Sequence, residues 1–451
     1  MPRSDDRESG HQHSLQSTRR ALLAGLAAGS AVLSAPFIAR AASKELRFLN
    51  NEPEPRTLAY LKTKLVPEYE AATGVRIVVE TIPSDQTWNK VTTAIKTGRP
   101  YDIMTIGDAT QAALLAAEGY VSPVTDLIKS IGVDDFGPRS RTIYKGEDVW
   151  MPYDYNFCFL FIRTDWLAEK KLSLPSKWDE FLAVCRAFTD TDKRRYGFAG
   201  PISPTTTTWA NSGFLWSSGT AFYDDKFNVV LDAPEIKPKV VQALDFIASI
   251  YPYQPPGVFS MKLGDVLNSF YSGTSGIAPY TGRMVHNIED KAPEIADKYT
   301  IMPYPEPNPG PGYVTFGADG FVIGKSDRTE EAQKFLQWFM QNGKMTEWQL
   351  TLPLHYQPPQ YSTYRNATWL AHPMVKKYSH IVDELKLFMD TKKTVIDAVE
   401  LQGPYLTANQ GRITNNEIIT NMYQSVITKK MTSGQAVDAA ATQVRGFTEK
   451  D

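Results

Sequence analysis

The strongest constraint on the fold is a repeated alternation of short strand-like and longer helix-like segments that begins at residue 45. Glu45–Asn50 has the composition of a strand. Leu58, Leu61 and Leu65 then recur at helical spacing, and Gly74 stands where a helix should end. This alternation, rather than a block of helices or of strands, predicts an α/β fold.

The alternation continues through the rest of the chain. Further strands are predicted at residues 75–81, 102–106 and 157–162, and helices at residues 88–97, 109–118, 236–250, 262–272, 329–341 and 374–391. The segment 157–162 is apolar without alternation, which predicts burial on both of its faces. Residues 303–311 hold five prolines, a composition that favours a stiff, extended connector over a helix or a central strand.

The N-terminus has the pattern of an export signal. Arg19 and Arg20 precede an apolar run at residues 21–38, and small residues up to Ala41 offer a cleavage site. This pattern predicts a twin-arginine signal peptide over residues 1–41 and a periplasmic protein. A retained transmembrane anchor is the alternative, but glycine, serine and proline make the run only weakly apolar. No cysteine in or just after the run offers a site for a lipid anchor.

Length and charge narrow the classes of function. Cleavage would leave about 410 residues, enough for two ordinary domains. The formal net charge is −2 and basic residues are spread along the chain, so we expect no nucleic-acid partner and no direct binding to an anionic membrane. Cys158 and Cys185 are expected to be buried thiols, although an oxidising compartment leaves a disulfide open.

Motifs of common enzymes are missing from the sequence. Outside the export signal the histidines are His286, His355, His372 and His380, and their spacing fits no HExxH site. The sequence has no GxSxG elbow, Walker loop or dinucleotide fingerprint. We therefore expect no catalysis, no cofactor and no metal. A carbohydrate hydrolase remains the alternative, because one sequence does not reveal two carboxyl groups that face each other across a cleft.

Short motifs recur in a fixed order along nearly all of the chain that follows the signal. They are LVPEY at 65–69 with TGV at 73–75, GRPYDI at 98–103 with Asp108 beyond, GYVSP at 119–123, MPY at 151–153, PSKWDEF at 175–181, SG at 272–273 with GIA at 276–278, and GFVI at 320–323. In this order and spacing the chain resembles the extracellular solute-binding proteins of ABC sugar importers, the maltose-binding-protein-like family.

The resemblance implies a two-lobe periplasmic-binding-protein fold of type II, α/β in class, with three inter-lobe crossings. The crossings would fall near residues 156–160, 302–305 and 352–356. The N-terminal lobe would then comprise residues 42–157 and 303–352, and the C-terminal lobe residues 158–302 and 353–451. The proline-rich segment lies on the second implied crossing.

The resemblance also implies a function. The protein would be the secreted substrate-binding component of an ABC importer, and it would capture a carbohydrate or a related polyol by closure of its lobes. Its partners would be that ligand and the permease subunits of the importer, so that it meets the membrane only through the importer complex. We expect it to be a monomer. The ligand stays open among mono- and oligosaccharides, polyols and anionic sugar derivatives.

Three strand ends carry the most informative ligand-binding candidates. Asp108 follows a strand and precedes a helix, where a carboxylate accepts hydrogen bonds from sugar hydroxyls or caps the helix. The resemblance favours the ligand-binding role of Asp108 over the helix cap. Trp209 and Tyr280 offer rings on which the C–H face of a sugar packs, although a buried aromatic residue is the commoner case. Arg283 suits an anionic ligand by bidentate pairing, or is a surface charge.

Other candidates come from segments expected to be loops beside the cleft. Glu52 follows the first strand, Tyr155 and Asn156 lie at the first implied crossing, and Tyr356 lies near the third. Residues 316–320 are expected to form a glycine-containing loop whose backbone N–H groups approach a ligand. The complete predicted ligand-binding set is Glu52, Asp108, Tyr155, Asn156, Trp209, Tyr280, Arg283, Gly317, Ala318, Asp319 and Tyr356.

Overall fold

The computed structural model describes residues 45–137, 140–204, 206–224, 226–390, 394–396 and 408–448. The predicted export signal at residues 1–41 therefore lies outside the described residues. The strands are β1 (Glu45–Asn50), β2 (Arg76–Thr81), β3 (Ile103–Ile106), β4 (Val121–Ser122), β5 (Ile143–Tyr144), β6 (Glu147–Asp148), β7 (Met151–Arg163), β8 (Tyr196–Phe198), β9 (Ser275–Tyr280), β10 (Tyr299–Met302), β11 (Val314–Gly324) and β12 (Thr394–Ile396).

Helices separate most of these strands. They are α1 (Pro55–Tyr60), α2 (Val66–Thr73), α3 (Thr87–Lys96), α4 (Ala109–Ala117), α5 (Thr125–Ile131), α6 (Thr164–Lys170), α7 (Trp178–Phe188), α8 (Thr206–Ala210), α9 (Gly213–Ser217), α10 (Lys237–Ile250), α11 (Leu263–Tyr271), α12 (Arg283–Lys291), α13 (Thr329–Gln341), α14 (Lys344–Gln349), α15 (Ala367–Ala371), α16 (Pro373–Lys377), α17 (Ser379–Asp390), α18 (Ala408–Asn415), α19 (Ile418–Ile427) and α20 (Ser433–Thr448). The predicted α/β alternation is confirmed.

One mixed sheet runs through the molecule in the order β2-β1-β3-β11-β7-β9-β8. Strands β1, β2 and β3 are parallel, so their carboxyl ends lie at one edge of the sheet. The long strand β7 pairs antiparallel with β11 over its first part and with β9 and β10 over its second part. Residues 157–162 of β7 are all buried, as the run without alternation predicted.

The first predicted helix is continuous from α1 to α2 but contains a π-helical turn at Leu61–Leu65. Leu61 and Leu65 are buried in the core, as their helical spacing predicted. Gly74 follows at φ 72°, a left-handed conformation that glycine adopts without a steric penalty. Gly74 therefore marks the end of the helix, as the sequence predicted.

Two segments predicted as loops are strand instead. Residues 153–156 belong to β7 and residues 316–320 to β11, and the two pair with each other, Ala318 opposite Tyr155 and Gly317 opposite Asn156. Gly320 is needed for packing, because a Cβ atom there would lie 2.5 Å from the ring of Trp150. Gly320, one of the glycines of the predicted loop, thus allows close approach inside a sheet.

Two further predictions need correction. The predicted helix 374–391 is broken at Tyr378 into α16 and α17. The proline-rich segment is neither helix nor central strand, as predicted, but it is not extended. It turns back on itself so that the backbones of Tyr304 and Tyr313 exchange two hydrogen bonds.

Both cysteines are buried free thiols, as expected. Burial raises the pKa of Cys158 to about 12, and its sulfur lies 3.8 Å from the hydroxyl of Tyr304. Among the described residues, no helix combines the length and apolar character that a bilayer span requires.

Candidate ligand-binding cavity

A cavity of about 1060 Å³ opens at the carboxyl ends of the parallel strands. The segments that follow β1, β2 and β3 form one side, and α8, the start of α11, the start of α12 and the end of α18 form the other. Side chains of β7 and β11 also line it. Its position is the one expected for a ligand site in an open α/β sheet.

Seven of the eleven predicted residues line this cavity, and four do not. Those on the wall are Glu52, Asp108, Asn156, Trp209, Tyr280, Arg283 and Asp319. Their role in ligand binding stays a prediction. Those away from the wall are Tyr155, Gly317, Ala318 and Tyr356.

Tyr155 does not line the cavity, because it lies on the other face of its strand. The neighbouring side chains of Tyr155 and Asn156 point to opposite faces of β7, so Asn156 faces the cavity and Tyr155 points the other way. The buried ring of Tyr155 stacks on Phe157 with centroids 5.3 Å apart. Gly317 and Ala318 lie in β11 paired with β7 and do not line the cavity, and Ala318 is buried.

Tyr356 is one position away from a residue that does line the cavity. Its side chain is fully buried, packs against Tyr153 and Trp348, and has its hydroxyl 3.4 Å from that of Thr57. Its neighbour His355 lines the cavity instead. The cavity therefore borders this segment at His355 and not at Tyr356.

Asp108 caps a helix and also lines the cavity. Its Oδ1 caps α4 by accepting hydrogen bonds from the backbone N–H groups of Thr110 at 2.8 Å and Gln111 at 3.2 Å. Its Oδ2 has no hydrogen-bond partner among the described residues, and the residue lines the cavity. Burial raises the pKa of Asp108 above its usual range.

Trp209 and Tyr280 lie together on the cavity wall. Their rings meet edge to face, with centroids 5.6 Å apart and an interplanar angle of 88°. Trp209 is half-buried in α8, and Tyr280 is the buried last residue of β9. The pair offers apolar surface beside polar groups, a combination that suits the C–H face and the hydroxyls of a sugar.

Arg283 is not a free surface charge. Its guanidinium forms a salt bridge with Glu52 and lies 2.9 Å from Nε2 of His355. A second carboxylate, Glu54, lies 3.9 Å from its Nη1. The arginine is therefore already neutralised by carboxylates of this chain.

The charges of this cluster follow from its burial. Burial opposes ionisation of Glu52, but the positive charge of Arg283, with His355 also nearby, outweighs it and holds the pKa of Glu52 at about 2. Burial, with the positive charge of Arg283, lowers the pKa of His355 to about 4. At neutral pH Glu52 is therefore a carboxylate, Arg283 a guanidinium and His355 a neutral imidazole.

A second cluster joins β7 and β11 at the cavity floor. The backbone N–H of Asp319 donates to Oδ1 of Asp154 at 2.8 Å, and Nδ2 of Asn156 donates to Oδ2 of Asp319 at 3.4 Å. Burial and the nearby Glu52 carboxylate raise the pKa of Asp319 to about 7. Burial and Asp319 raise the pKa of Asp154 well above its usual range.

No group of three or more histidine, cysteine or carboxylate side chains suited to a metal ion occurs among the described residues. The cavity instead presents aromatic rings, carboxyl groups and amides. This set of groups recognises hydroxyls by hydrogen bonding and apolar ring faces by packing.

The model of the family described as "Bacterial extracellular solute-binding protein" matches residues 53–346, more than half of the chain. The chain belongs to this family. The resemblance inferred from the sequence motifs is therefore confirmed.

Relatives and solved structures cover nearly the whole chain. The putative ABC transporter periplasmic-binding protein YcjN of Escherichia coli K12 is 22% identical over 415 residues, 90% of this chain and 93% of that protein. A solute-binding protein of Thermotoga lettingae, solved with α-D-tagatose, has a TM-score of 0.74 at 20% identity and covers 90% of this chain and 100% of that one. One from Agrobacterium radiobacter K84, solved with ribitol, has a TM-score of 0.71 at 19% identity, covering 89% and 98%. The predicted type II binding-protein fold is confirmed.

Sequence reasoning missed several residues of this family member's cavity. Trp88, the first residue of the predicted helix 88–97, is half-buried and lines the cavity from α3. Phe259 and Leu263 contribute apolar surface from the segment that leads into α11. Near them, Lys262 lies 3.9 Å from Asp85, and both are exposed at the rim. The end of β2, just before α3, was the one sequence feature that pointed to this part of the cavity.

Proposed function

We propose that this solute-binding protein captures an uncharged sugar or polyol and delivers it to the permease subunits of an ABC importer. The observation that carries the proposal is the aromatic pair Trp209 and Tyr280, which lines the same cavity as the carboxyl groups of Asp108 and Asp319. The tagatose and ribitol bound by the two solved relatives belong to this chemical class.

Charge favours a neutral ligand over an anionic one. The guanidinium of Arg283 is paired with Glu52, and the ammonium of Lys262 faces Asp85 at the exposed rim. An anionic ligand would have to displace one of these carboxylates. An anionic ligand would also lie close to the carboxyl groups of Asp108 and Asp319, and their repulsion would weaken its binding.

The proposed lobes are those implied by the sequence, residues 42–157 with 303–352 and residues 158–302 with 353–451. The change of partner along β7, from β11 to β9 and β10, supports a crossing near residue 158. On this division the cavity takes residues from both lobes, so closure brings all of them to one ligand. Small-angle scattering should then show a smaller radius of gyration at saturation, and an unchanged radius would count against closure.

Family membership and the export pattern at residues 1–41 together support a periplasmic location reached by the twin-arginine route. The protein would act there as a monomer that contacts the membrane only through the importer. Deletion of the arginine pair should leave the protein in the cytoplasm, and continued export of that variant would refute the proposed route.

A hydrolase is the alternative, and one observation favours it. Asp319 with a pKa of about 7 and Glu52 with a pKa of about 2 both line the cavity, and glycosidases use one protonated and one ionised carboxyl group. Glu52, however, is held by Arg283 and His355, which leaves it a poor nucleophile or base. We therefore assign binding without turnover.

A thermal-shift screen tests the proposal. Purified protein without its export signal would be heated with D-tagatose, ribitol, D-mannitol and maltose, and with sugar phosphates as the anionic arm. A bound ligand raises the melting temperature through linkage. We expect a rise with a neutral ligand and none with the phosphates. A rise with the phosphates alone would refute the neutral-ligand assignment.

A further inference from the structure

We infer that Gln111 and Asn415 form a hydrogen-bonded amide pair whose remaining polar groups bind two hydroxyls of the ligand, one as acceptor and one as donor. Neither residue was among the ligand-binding residues predicted from the sequence. The inference rests on the proposed function for its ligand, and it deepens that function by naming two specificity-determining residues. The pair itself is tested below without a ligand.

The pair joins two helices that meet at the cavity. Nε2 of Gln111 on α4 donates to Oδ1 of Asn415 on α18 at 3.0 Å, although the two residues are 304 positions apart in the sequence. Both residues are half-buried, and both line the cavity. The hydrogen bond therefore lies on a surface that faces the ligand space.

Close packing of the two helices holds the amides together. Helix α18 packs on α4 more extensively than on α19 or α20. A Cβ atom at Gly411 would lie 2.7 Å from the backbone oxygen of Thr110, so only glycine allows this approach to the first turn of α4. Gly411 and Asn415 are four positions apart and therefore share one face of α18. The same approach brings Asn415 within reach of Gln111, which makes Gly411 a positioning residue.

Each amide keeps a polar group that the pair does not use. Two amides that only joined the helices could exchange two hydrogen bonds, but Gln111 and Asn415 form one. The Oε1 atom of Gln111 and the Nδ2 atom of Asn415 thus have no partner among the described residues, and neither atom is fully enclosed. Oε1 accepts and Nδ2 donates, so the pair suits one ligand hydroxyl that donates and another that accepts.

Removal of single hydroxyls from the ligand tests this assignment. The probe is whichever of D-tagatose, ribitol, D-mannitol and maltose raises the melting temperature most, together with its monodeoxy analogues, titrated by calorimetry. In the parent, loss of a hydroxyl bound by the pair should raise Kd about three- to tenfold, the scale of one hydrogen bond. In Gln111→Met or Asn415→Leu, loss of the hydroxyl that the changed residue binds should raise Kd less than about twofold, because the partner of that hydroxyl is already gone.

Two exposed amides provide matched controls. Asn416→Leu changes the neighbour of Asn415, and Gln333→Met changes a glutamine that donates to Ser122; neither residue lines the cavity. Both variants should keep the parental Kd and the parental loss with every analogue. If Gln111→Met and Asn415→Leu show the same relative loss as the parent with every analogue, the pair only joins the helices, and the inference is overturned.

Unfolding without ligand tests the pair independently of the proposed function. Because one hydrogen bond joins Gln111 to Asn415, the double variant should lose less free energy of unfolding than the sum of the two single losses. Gly411→Ala should abolish this coupling by moving α18, whereas Gly434→Ala, where a Cβ atom has no neighbour within 4 Å, should keep it. Additive losses in the parental background would overturn the pair even if a sugar binds. Coupled losses that Gly411→Ala abolishes would support the pair even if no sugar binds.

Discussion

The ring of Trp209 meets the ring of Tyr280 edge to face, with centroids 5.6 Å apart, on the wall of the cavity. The two residues come from α8 and β9, 71 positions apart in the sequence (280 − 209). Because they touch, each ring fixes the position of the other, and a ligand that packs on one meets a surface shaped by both.

We predict that Trp209→Ala and Tyr280→Ala each weaken ligand binding by about 1–3 kcal/mol, the usual scale for removing an aromatic ring from a binding pocket. Because the two rings touch, a double variant should weaken binding by less than the sum of the two single effects. Calorimetric titration measures all three. Tyr120→Ala, an exposed aromatic position that does not line the cavity, is the control. Parental affinity in both single variants would show that the rings do not touch the ligand.

The salt bridge between Glu52 and Arg283 predicts an asymmetric effect of mutation. Arg283→Met leaves a buried carboxylate without its partner, so we expect the free energy of unfolding to fall by about 3–5 kcal/mol. Adding Glu52→Gln removes the unpaired charge and should restore part of that stability. Chemical denaturation compares the two proteins. A double variant less stable than Arg283→Met would contradict the pairing.

Gly107 predicts a steric effect on Asp319. A Cβ atom at Gly107 would lie 2.6 Å from Oδ1 of Asp319, so Gly107→Ala forces that carboxyl group to move. We expect weaker ligand binding with little change in melting temperature. Gly264 is a matched control on the opposite wall, because a Cβ atom there has no neighbour within 4 Å. If Gly107→Ala and Gly264→Ala bind alike, Asp319 is not a ligand-binding residue.

Two buried histidines predict a loss of stability in acid. Burial lowers the pKa of His286 and of His355 to about 4, below the value of about 6.5 expected in the unfolded chain. Because the pKa values of these histidines are lower in the folded state, the unfolded state binds more protons than the folded state in acid. Stability is therefore complete above about pH 6.5 and falls as pH drops towards about 4. Melting temperatures across this range should fall less in His286→Gln than in the parent. An equal fall would show that His286 is not responsible.

The sequence predicted the fold well because its signals are local. Helical spacing at Leu58, Leu61 and Leu65 and the glycine at position 74 define one helix without any tertiary information. The motif order then identified the family. The position of Asp108 between a strand end and a helix start was predicted for the same reason, since both are visible in the sequence.

Features that depend on distant parts of the chain were not predictable. Glu52 and Arg283 are 231 positions apart, and no local pattern signals their pairing. The choice of Asn156 over Tyr155 depends on which face of β7 borders the cavity, and a shift of one residue reverses it. Likewise, His355 rather than Tyr356 faces the cavity because of the packing of the irregular segment that carries both.

The most direct test of solute capture is a calorimetric titration with the best ligand of the screen, followed by recovery of that ligand. We expect saturation at one site per chain, loss of the binding signal when Trp209 and Tyr280 are both changed to alanine, and ligand recovered chemically unchanged. Conversion of the ligand by the pure protein, abolished by Glu52→Gln or Asp319→Asn, would contradict this account and establish a hydrolase.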